Sequence, residues 1–161
     1  MGVMCVMEQT LPKMLRKVAA DYPEITAQYS RGTDGNFESV TFRELFDISL
    51  DFAAGLLDIG VKRGEPVGLI SDNREEWQQS DMGIMAIGAV DVPRGCDATL
   101  QDLEAILSIT ECKVCIAENP AQAKKILSLK EKLSHLKTII VFDELNGAIK
   151  EEAEACGVKI T

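Results

Sequence analysis

Short apolar segments alternate along the chain with longer segments in which apolar residues recur every three or four positions. The short segments are typical of buried strands and the long ones of amphipathic helices, because side chains repeat at different periods in the two structures. Strands are predicted at 67–70, 89–92, 113–117, 138–142 and 158–160, and helices at 41–60, 72–87, 99–108, 119–133 and 145–156. This alternation predicts an α/β fold: a doubly wound, mostly parallel sheet with helices on both faces.

An N-terminal helix and a β-hairpin are predicted ahead of this sheet. The helix spans 10–22, beginning at Thr10 and ending before Pro23, since the residue before a proline leaves the helical region. Segments 26–30 and 37–40 flank a loop that contains Asp34-Gly35, a strong signal for a hairpin turn.

Several helix and strand ends have recognisable local signals. Thr41 with Glu44, and Asp72 with Glu75, have the spacing of a capping box, in which each residue satisfies the other's backbone. Gly60 stands where a left-handed residue would end a helix. Pro93 is predicted to stop the strand 89–92.

Composition and charge narrow the possible partners. The 161 residues carry 17 basic and 26 acidic side chains, a net charge of -9, which argues against nucleic acid and against electrostatic docking on anionic lipid. Lysines between 124 and 137 alternate with apolar residues, as on a solvated helix face. Residues 1–7 are too short for a signal peptide and the longest apolar run, 83–90, is too short to span a bilayer, so we expect a cytoplasmic chain.

Cysteine and histidine offer little evidence of chemistry. The five cysteines are odd in number and scattered, which does not indicate a disulfide framework. Cys112-Lys-Val-Cys115 has the C-x-x-C form, but it falls in a predicted strand, where residues three apart face opposite sides of the sheet. His135, the single histidine, is expected to be exposed. No metal site is predicted.

Acidic residues near strand ends, where α/β folds place ligands, are accounted for mainly by caps and turns. They are Asp72, Asp91, Asp97, Asp143 and Glu144. The loop with Arg94 and Cys96 is less easily dismissed, because an arginine framed by Pro and Gly after a strand can meet an anion. The alternative for Arg94 is a surface salt bridge.

Five short segments, in order, resemble the opening of the adenylate-forming acyl-CoA synthetases. They are Thr41-Phe-Arg-Glu-Leu45, Gly60-Val-Lys-Arg-Gly-Glu65, Leu69-Ile-Ser-Asp-Asn-Arg-Glu-Glu-Trp77, Gly88-Ala-Val-Asp-Val-Pro93 and Glu111-Cys-Lys-Val114. Arg94-Gly-Cys-Asp97 replaces a Tyr/Pro-rich loop of many relatives and resembles a long-chain and acyl-carrier-protein synthetase branch, which favours fatty acyl substrates.

The resemblance implies that residues 1–161 are the N-terminal subdomain of the AMP-binding (adenylation) domain of a larger ligase, truncated inside a strand. The parent would use ATP and Mg to convert a fatty acid to an acyl-adenylate, then to a thioester of CoA or acyl-carrier protein. The family's phosphate loop and adenylation lysine have no counterpart here. No catalytic, cofactor-binding or metal residue is therefore assigned, and the chain alone is expected to be inactive and to bind no cofactor.

Arg94, Cys96 and Asp97 are the residues expected near the parent's site. The expected partners are the rest of the parent chain and its acid and thiol substrates, with a homodimer as a further possibility. Two alternatives are a stand-alone scaffold or regulatory α/β interaction domain and an independent nucleotide-binding module.

Overall fold

The computed structural model describes residues 10–32 and 35–161. The apolar segment 1–7 and Asp34 of the hairpin loop lie outside these residues. The elements in chain order are α1 (Leu11–Asp21), β1 (Thr26–Arg31), β2 (Phe37–Thr41), α2 (Phe42–Asp58), β3 (Pro66–Ile70), α3 (Glu75–Ala86), β4 (Val90–Arg94), α4 (Leu100–Thr110), β5 (Val114–Ala117), α5 (Pro120–Leu127), β6 (Thr138–Val141), α6 (Gly147–Ala155) and β7 (Lys159–Ile160).

Five parallel strands form the central sheet, in the order β4-β3-β5-β6-β7, which confirms the predicted architecture. Neighbouring side chains of a strand enter different cores, because they point to opposite faces. Val67 and Leu69 of β3 pack in the core shared with α2 and α3, whereas Ile70 packs in the core beneath α4, α5 and α6. Helices therefore cover both faces of the sheet.

The predicted hairpin is present as the antiparallel pair β1-β2, in which Tyr29 lies opposite Ser39. Ser30 donates a hydrogen bond to the carboxylate of Glu75 at 2.8 Å, and this contact joins the hairpin to the first turn of α3. No helix in the described ranges is long and apolar enough to cross a membrane. The cytoplasmic location stays a prediction.

Capping explains where several helices begin. Thr41 accepts the Glu44 N–H at 3.2 Å while the Glu44 carboxylate accepts the Thr41 N–H at 2.8 Å, so the predicted capping box is confirmed. Thr99 and Asp102 form a second box at the start of α4. Gly60 has φ +90°, the left-handed conformation expected after α2.

The prediction that Pro93 stops its strand is wrong. β4 continues through Pro93 to Arg94, and Pro93 lies opposite Leu69 in the parallel register. β4 is an edge strand of the five-stranded sheet, with a hydrogen-bonded neighbour on one side only. A proline in such a strand can lack its N–H without depriving a neighbouring strand of a hydrogen bond.

The capping box predicted for Asp72 and Glu75 does not form. Helix α3 begins after Arg74, which makes no side-chain cap. The Asp72 carboxylate instead accepts the backbone N–H of Cys96 at 2.9 Å, because the turn that follows β3 faces the turn that follows β4.

Helix α5 is shorter than predicted, ending at Leu127 rather than near Leu133. The chain beyond it forms turns, with N–H groups of Leu129 and Leu136 bonded three residues back. The helical spacing of apolar residues continues past Leu127 because Leu129, Leu133 and Leu136 are all buried in the same core. These three leucines enter the core from turns and not from a helix.

Candidate functional site at the carboxyl edge of the sheet

The strand order creates a switch point between β3 and β5. The chain leaves β3 for β4 on one side, and it leaves β5 for β6 on the other. Connections that part in this way open a crevice at the carboxyl ends of the two strands, which is where open α/β sheets place their ligands.

Three loops meet at this crevice and are tied together by a carboxylate. Glu118, immediately after β5, accepts the Ser71 hydroxyl at 3.1 Å and the Asp72 backbone N–H at 2.8 Å. Asp72 in turn accepts the N–H of Cys96. The turns after β3, β4 and β5 are therefore connected in series.

Cys96 is held from its other side by α5. Its carbonyl accepts Gln122 Nε2 at 3.3 Å and Lys125 Nζ at 3.0 Å. The pKa of the Cys96 thiol is raised to about 11, mainly by burial and also by its hydrogen bond to Glu118 and the charges of Glu118 and Asp72. A thiol so disposed is a poor free nucleophile at neutral pH.

Arg94 forms a surface salt bridge, the alternative to binding an anion, but at a long distance. Its Nη2 lies 3.8 Å from a carboxylate oxygen of Asp102, with much of both side chains exposed. Arg94 also lines an open cavity of about 480 Å³ with Ser71, Asp72 and Trp77. The cavity is formed by the loops after β3 and β4, and its walls carry charges of both signs.

Asp97 lies against the backbone of Gly95. A Cβ at Gly95 would come within 2.8 Å of Asp97 Oδ1, so a larger residue there would displace the Asp97 carboxylate. The three residues expected near a site thus lie close together: Arg94 ends β4, and Cys96 and Asp97 form the turn after it, with the Cys96 thiol directed towards Glu118.

The remaining acidic candidates do not join this cluster. Asp91 lies at the amino end of β4 and hydrogen-bonds with Asp81 of α3, so it does not belong to the carboxyl edge. Asp143 pairs with Arg74 at 2.9 Å, beside the ring of Phe142. His135 is exposed, as predicted, and its Nε2 lies 3.6 Å from Glu111 Oε1.

The predicted placement of Cys112 and Cys115 on opposite faces is wrong. Cys112 precedes β5 rather than lying within it, and both residues are buried in the same core. Their thiols share a hydrogen bond, which lowers the pKa of Cys112 and raises that of Cys115. Both are free thiols, and Cys115 Sγ packs against Gly68.

Sequence reasoning missed Glu118, Gln122 and Lys125. Glu118 had an available signal, since it follows a buried strand directly and parallel strands end at one edge. No sequence signal marked Gln122 and Lys125, because both donate hydrogen bonds to the backbone carbonyl of Cys96, which is 26 and 29 residues away in sequence.

The sequence profile described as "AMP-binding enzyme" matches residues 15–160. The chain belongs to the AMP-binding enzyme family. This confirms the resemblance, and the relatives with curated descriptions include ligases of long-chain fatty acids.

Two of these family members illustrate the match. A chloroplastic long-chain-fatty-acid–acyl-carrier-protein ligase of Arabidopsis thaliana is 31% identical over 144 residues, 89% of this chain and 20% of the relative. A long-chain-fatty-acid–CoA ligase of Drosophila melanogaster is 27% identical over 136 residues, 82% of this chain and 20% of the relative. The chain thus spans about a fifth of the length of these AMP-binding enzymes.

Solved structures of the family share the fold. The adenylation domain of a carboxylate reductase from Mycobacterium chelonae superposes with a TM-score of 0.79 at 19% identity, covering 94% of this chain and 27% of that one. At this identity the likeness concerns architecture alone.

Proposed function

We propose that this chain is the N-terminal part, residues 1–161, of an ATP-dependent, AMP-forming acid–thiol ligase that activates a fatty acid. The observation that carries the proposal is the family match across residues 15–160. Relatives that act on long-chain fatty acids, one with acyl-carrier protein and one with CoA, support the acid and thiol substrates. The parent's reaction converts the acid to an acyl-adenylate and then to an acyl thioester.

The carboxyl edge of the sheet is the part of this chain we assign to the parent's site. Arg94 ends β4, and Cys96 and Asp97 lie in the turn that follows, where hydrogen bonds with Asp72 and with α5 hold the backbone of Cys96. A turn held on both sides is suited to positioning, and we assign it no bond-making role. The rest of the parent chain is the partner that we expect to supply the reacting groups.

The cavity beside Arg94 does not favour the triphosphate of ATP. Helix α3, which begins at the cavity, carries Glu75 and Glu76 in its first turn. Helix α4, which follows the Cys96 turn, carries Asp102 in its first turn, and this carboxylate lies 3.8 Å from Arg94 Nη2. These charges oppose phosphate at helix ends that would otherwise attract it. Gly32 and Gly35, from the other candidate segment, stand between the two strands of the hairpin and not at a helix start.

We therefore expect no activity from residues 1–161 alone. The test is to incubate the purified chain with ATP, Mg²⁺, CoA and fatty acids of graded chain length, and to measure acyl-CoA and AMP. Formation of either product above a heat-treated control would refute the claim that the isolated chain is inactive. Titration calorimetry with ATP should show no binding heat.

The parent can be tested through the gene. We expect the reading frame to continue past codon 161, and the longer protein to release AMP in a fatty acid-dependent reaction. In that protein Arg94→Gln should weaken ligase activity, whereas Arg16→Gln, on the exposed face of α1, should not. A stop after codon 161 would refute the ligase proposal and favour an interaction domain. Sedimentation of the longer protein would test whether it forms the homodimer named above as a further possibility.

A further inference from the structure

Ser71 and Asp72, the two residues after β3, hold the backbone on either side of Gly95. The Ser71 N–H donates to the Arg94 carbonyl at 3.0 Å, and the Asp72 carboxylate accepts the Cys96 N–H at 2.9 Å. One bond therefore fixes the residue before Gly95 and the other fixes the residue after it. The position of Arg94 and Cys96 depends on where Ser71 and Asp72 lie.

Glu118 holds both of these residues from the end of β5. Its Oε2 accepts the Ser71 hydroxyl at 3.1 Å and the Asp72 backbone N–H at 2.8 Å. The Glu118 backbone is anchored to the sheet, because its N–H donates to the Ile70 carbonyl at 2.9 Å. One side chain on β5 thus fixes the pair of residues that in turn fixes the turn after β4.

The Glu118 carboxylate serves here as an acceptor of hydrogen bonds and not as the partner of a cation. Within residues 10–32 and 35–161, no ion pair includes Glu118. Its oxygens accept the neutral donors of Ser71 and Asp72 and the side-chain amide of Asn119. The reach of the side chain therefore decides whether these bonds form. A side chain shorter by one carbon–carbon bond, about 1.5 Å, would lose them, whereas an amide oxygen at the same place would keep them.

We propose that Glu118 is a positioning residue of the ligase, which acts through Ser71 and Asp72 to hold residues 94–96 in the orientation that the parent's reaction requires. The inference rests on the proposed function, since it assigns Glu118 to the site at the carboxyl edge of the sheet. Glu118 takes no part in bond making. A displacement of about 1 Å in an active site can lower a rate by roughly 100-fold, so a residue that only orients a loop is able to control activity.

Amide hydrogen exchange of the 161-residue chain, followed by NMR, tests the link without the parent. In Glu118→Ala the Cys96 N–H should exchange at least about tenfold faster, because its bond to the Asp72 carboxylate loosens, while amides of β5 and β6 verify folding. Asp72→Ala removes the acceptor directly. The double variant should exchange no faster than Asp72→Ala alone, since the two residues act in series. An unchanged Cys96 rate in Glu118→Ala, or additive effects in the double variant, would overturn the proposal.

Activity of the longer protein tests the consequence for the reaction. Glu118→Ala and Glu118→Asp should lower kcat/KM for the fatty acid by about tenfold or more, whereas Glu118→Gln should stay within about threefold of the unaltered protein. Thr41→Ala, which removes the cap of the distant helix α2, is the control that loses stability without touching the turn, and it should retain activity.

The pattern across the Glu118 variants separates reach from charge. A Glu118→Gln as impaired as Glu118→Ala, or a fully active Glu118→Asp, would make the charge responsible and overturn the proposal. An active longer protein that tolerates Glu118→Ala would refute the positioning role alone. A longer protein without ligase activity in its unaltered form would refute the proposed function.

Discussion

Asp81 has a raised pKa, which makes the stability of the fold depend on pH. It lies on α3, is 8% exposed, and hydrogen-bonds with Asp91 of β4. Two carboxyl groups in contact cannot both ionise without repulsion, so Asp81 keeps its proton to a higher pH than an isolated aspartate does. Asp81→Asn removes the ionisation while keeping the side-chain volume and a donor for Asp91. We expect the variant to be more stable than the unaltered chain near neutral pH.

The magnitude follows from the pKa. That of Asp81 is raised from 3.8 to about 6, first by burial and then by the charge and hydrogen bond of Asp91. This rise in pKa corresponds to roughly 3 kcal/mol against the ionised form. Asp91 is only partly buried, and solvent near it reduces this to about 1–3 kcal/mol.

The sign is set by the raised pKa. The folded chain holds this proton more tightly than the unfolded chain, so the contribution to stability is fully present below pH 3.8 and is lost as pH rises through 6. The gain from Asp81→Asn should therefore be under about 1 kcal/mol near pH 4 and reach about 1–3 kcal/mol near pH 7.

Urea unfolding of both proteins across this pH range measures the difference directly. Asp51→Asn, an exposed helical aspartate, is the matched control and should show no such pH-dependent gain. Asp91→Asn should raise the free energy of unfolding less than Asp81→Asn does, because burial, and not Asp91, is the largest cause of the raised pKa of Asp81. An Asp81→Asn gain that is absent near pH 7, or equal at both ends of the range, would refute the reasoning.

Three further predictions concern local structure. Gly68→Ala places a Cβ 2.9 Å from Cys115 Sγ and should destabilise by about 1–3 kcal/mol in urea unfolding, whereas Gly147→Ala, with open space around it, should not; equal effects would contradict the packing. Thr99→Ala removes the α4 capping box and should lower the free energy of unfolding by about 1 kcal/mol, and an unchanged urea midpoint would argue against the cap. Arg74→Lys keeps the charge but loses the two-pronged contact with a carboxylate, so it should destabilise by roughly 0.5–1 kcal/mol; a thermal midpoint equal to that of the unaltered chain would contradict it.

The architecture was predictable because its signals are local. Thr41 with Glu44, Gly60 and Pro120 each mark a helix end through their own backbone chemistry, and the structure has helix ends at these positions. The five short apolar runs became five parallel strands, since segments buried on both faces contain few polar residues.

The errors occurred where a residue's partner is distant in sequence. Asp72 has the spacing of a cap, but the N–H of Cys96, 24 residues later, takes its carboxylate. Pro93 has the chemistry of a strand end, and only the strand order shows that its strand is the outer one. The cluster of Asp72, Cys96 and Glu118 depends on three turns that no local pattern relates to one another.

The strand order also bears on how the chain folds during its synthesis. β3, the first strand of the sheet to be made, lies inside it; β4 then adds to one side of β3, β5 to the other, and β6 and β7 follow outwards. Among the described strands, each new one extends an edge that already exists, and none has to be inserted between two strands that have paired. The sheet can therefore grow in step with the ribosome, leaving a single advancing edge at which the next strand docks.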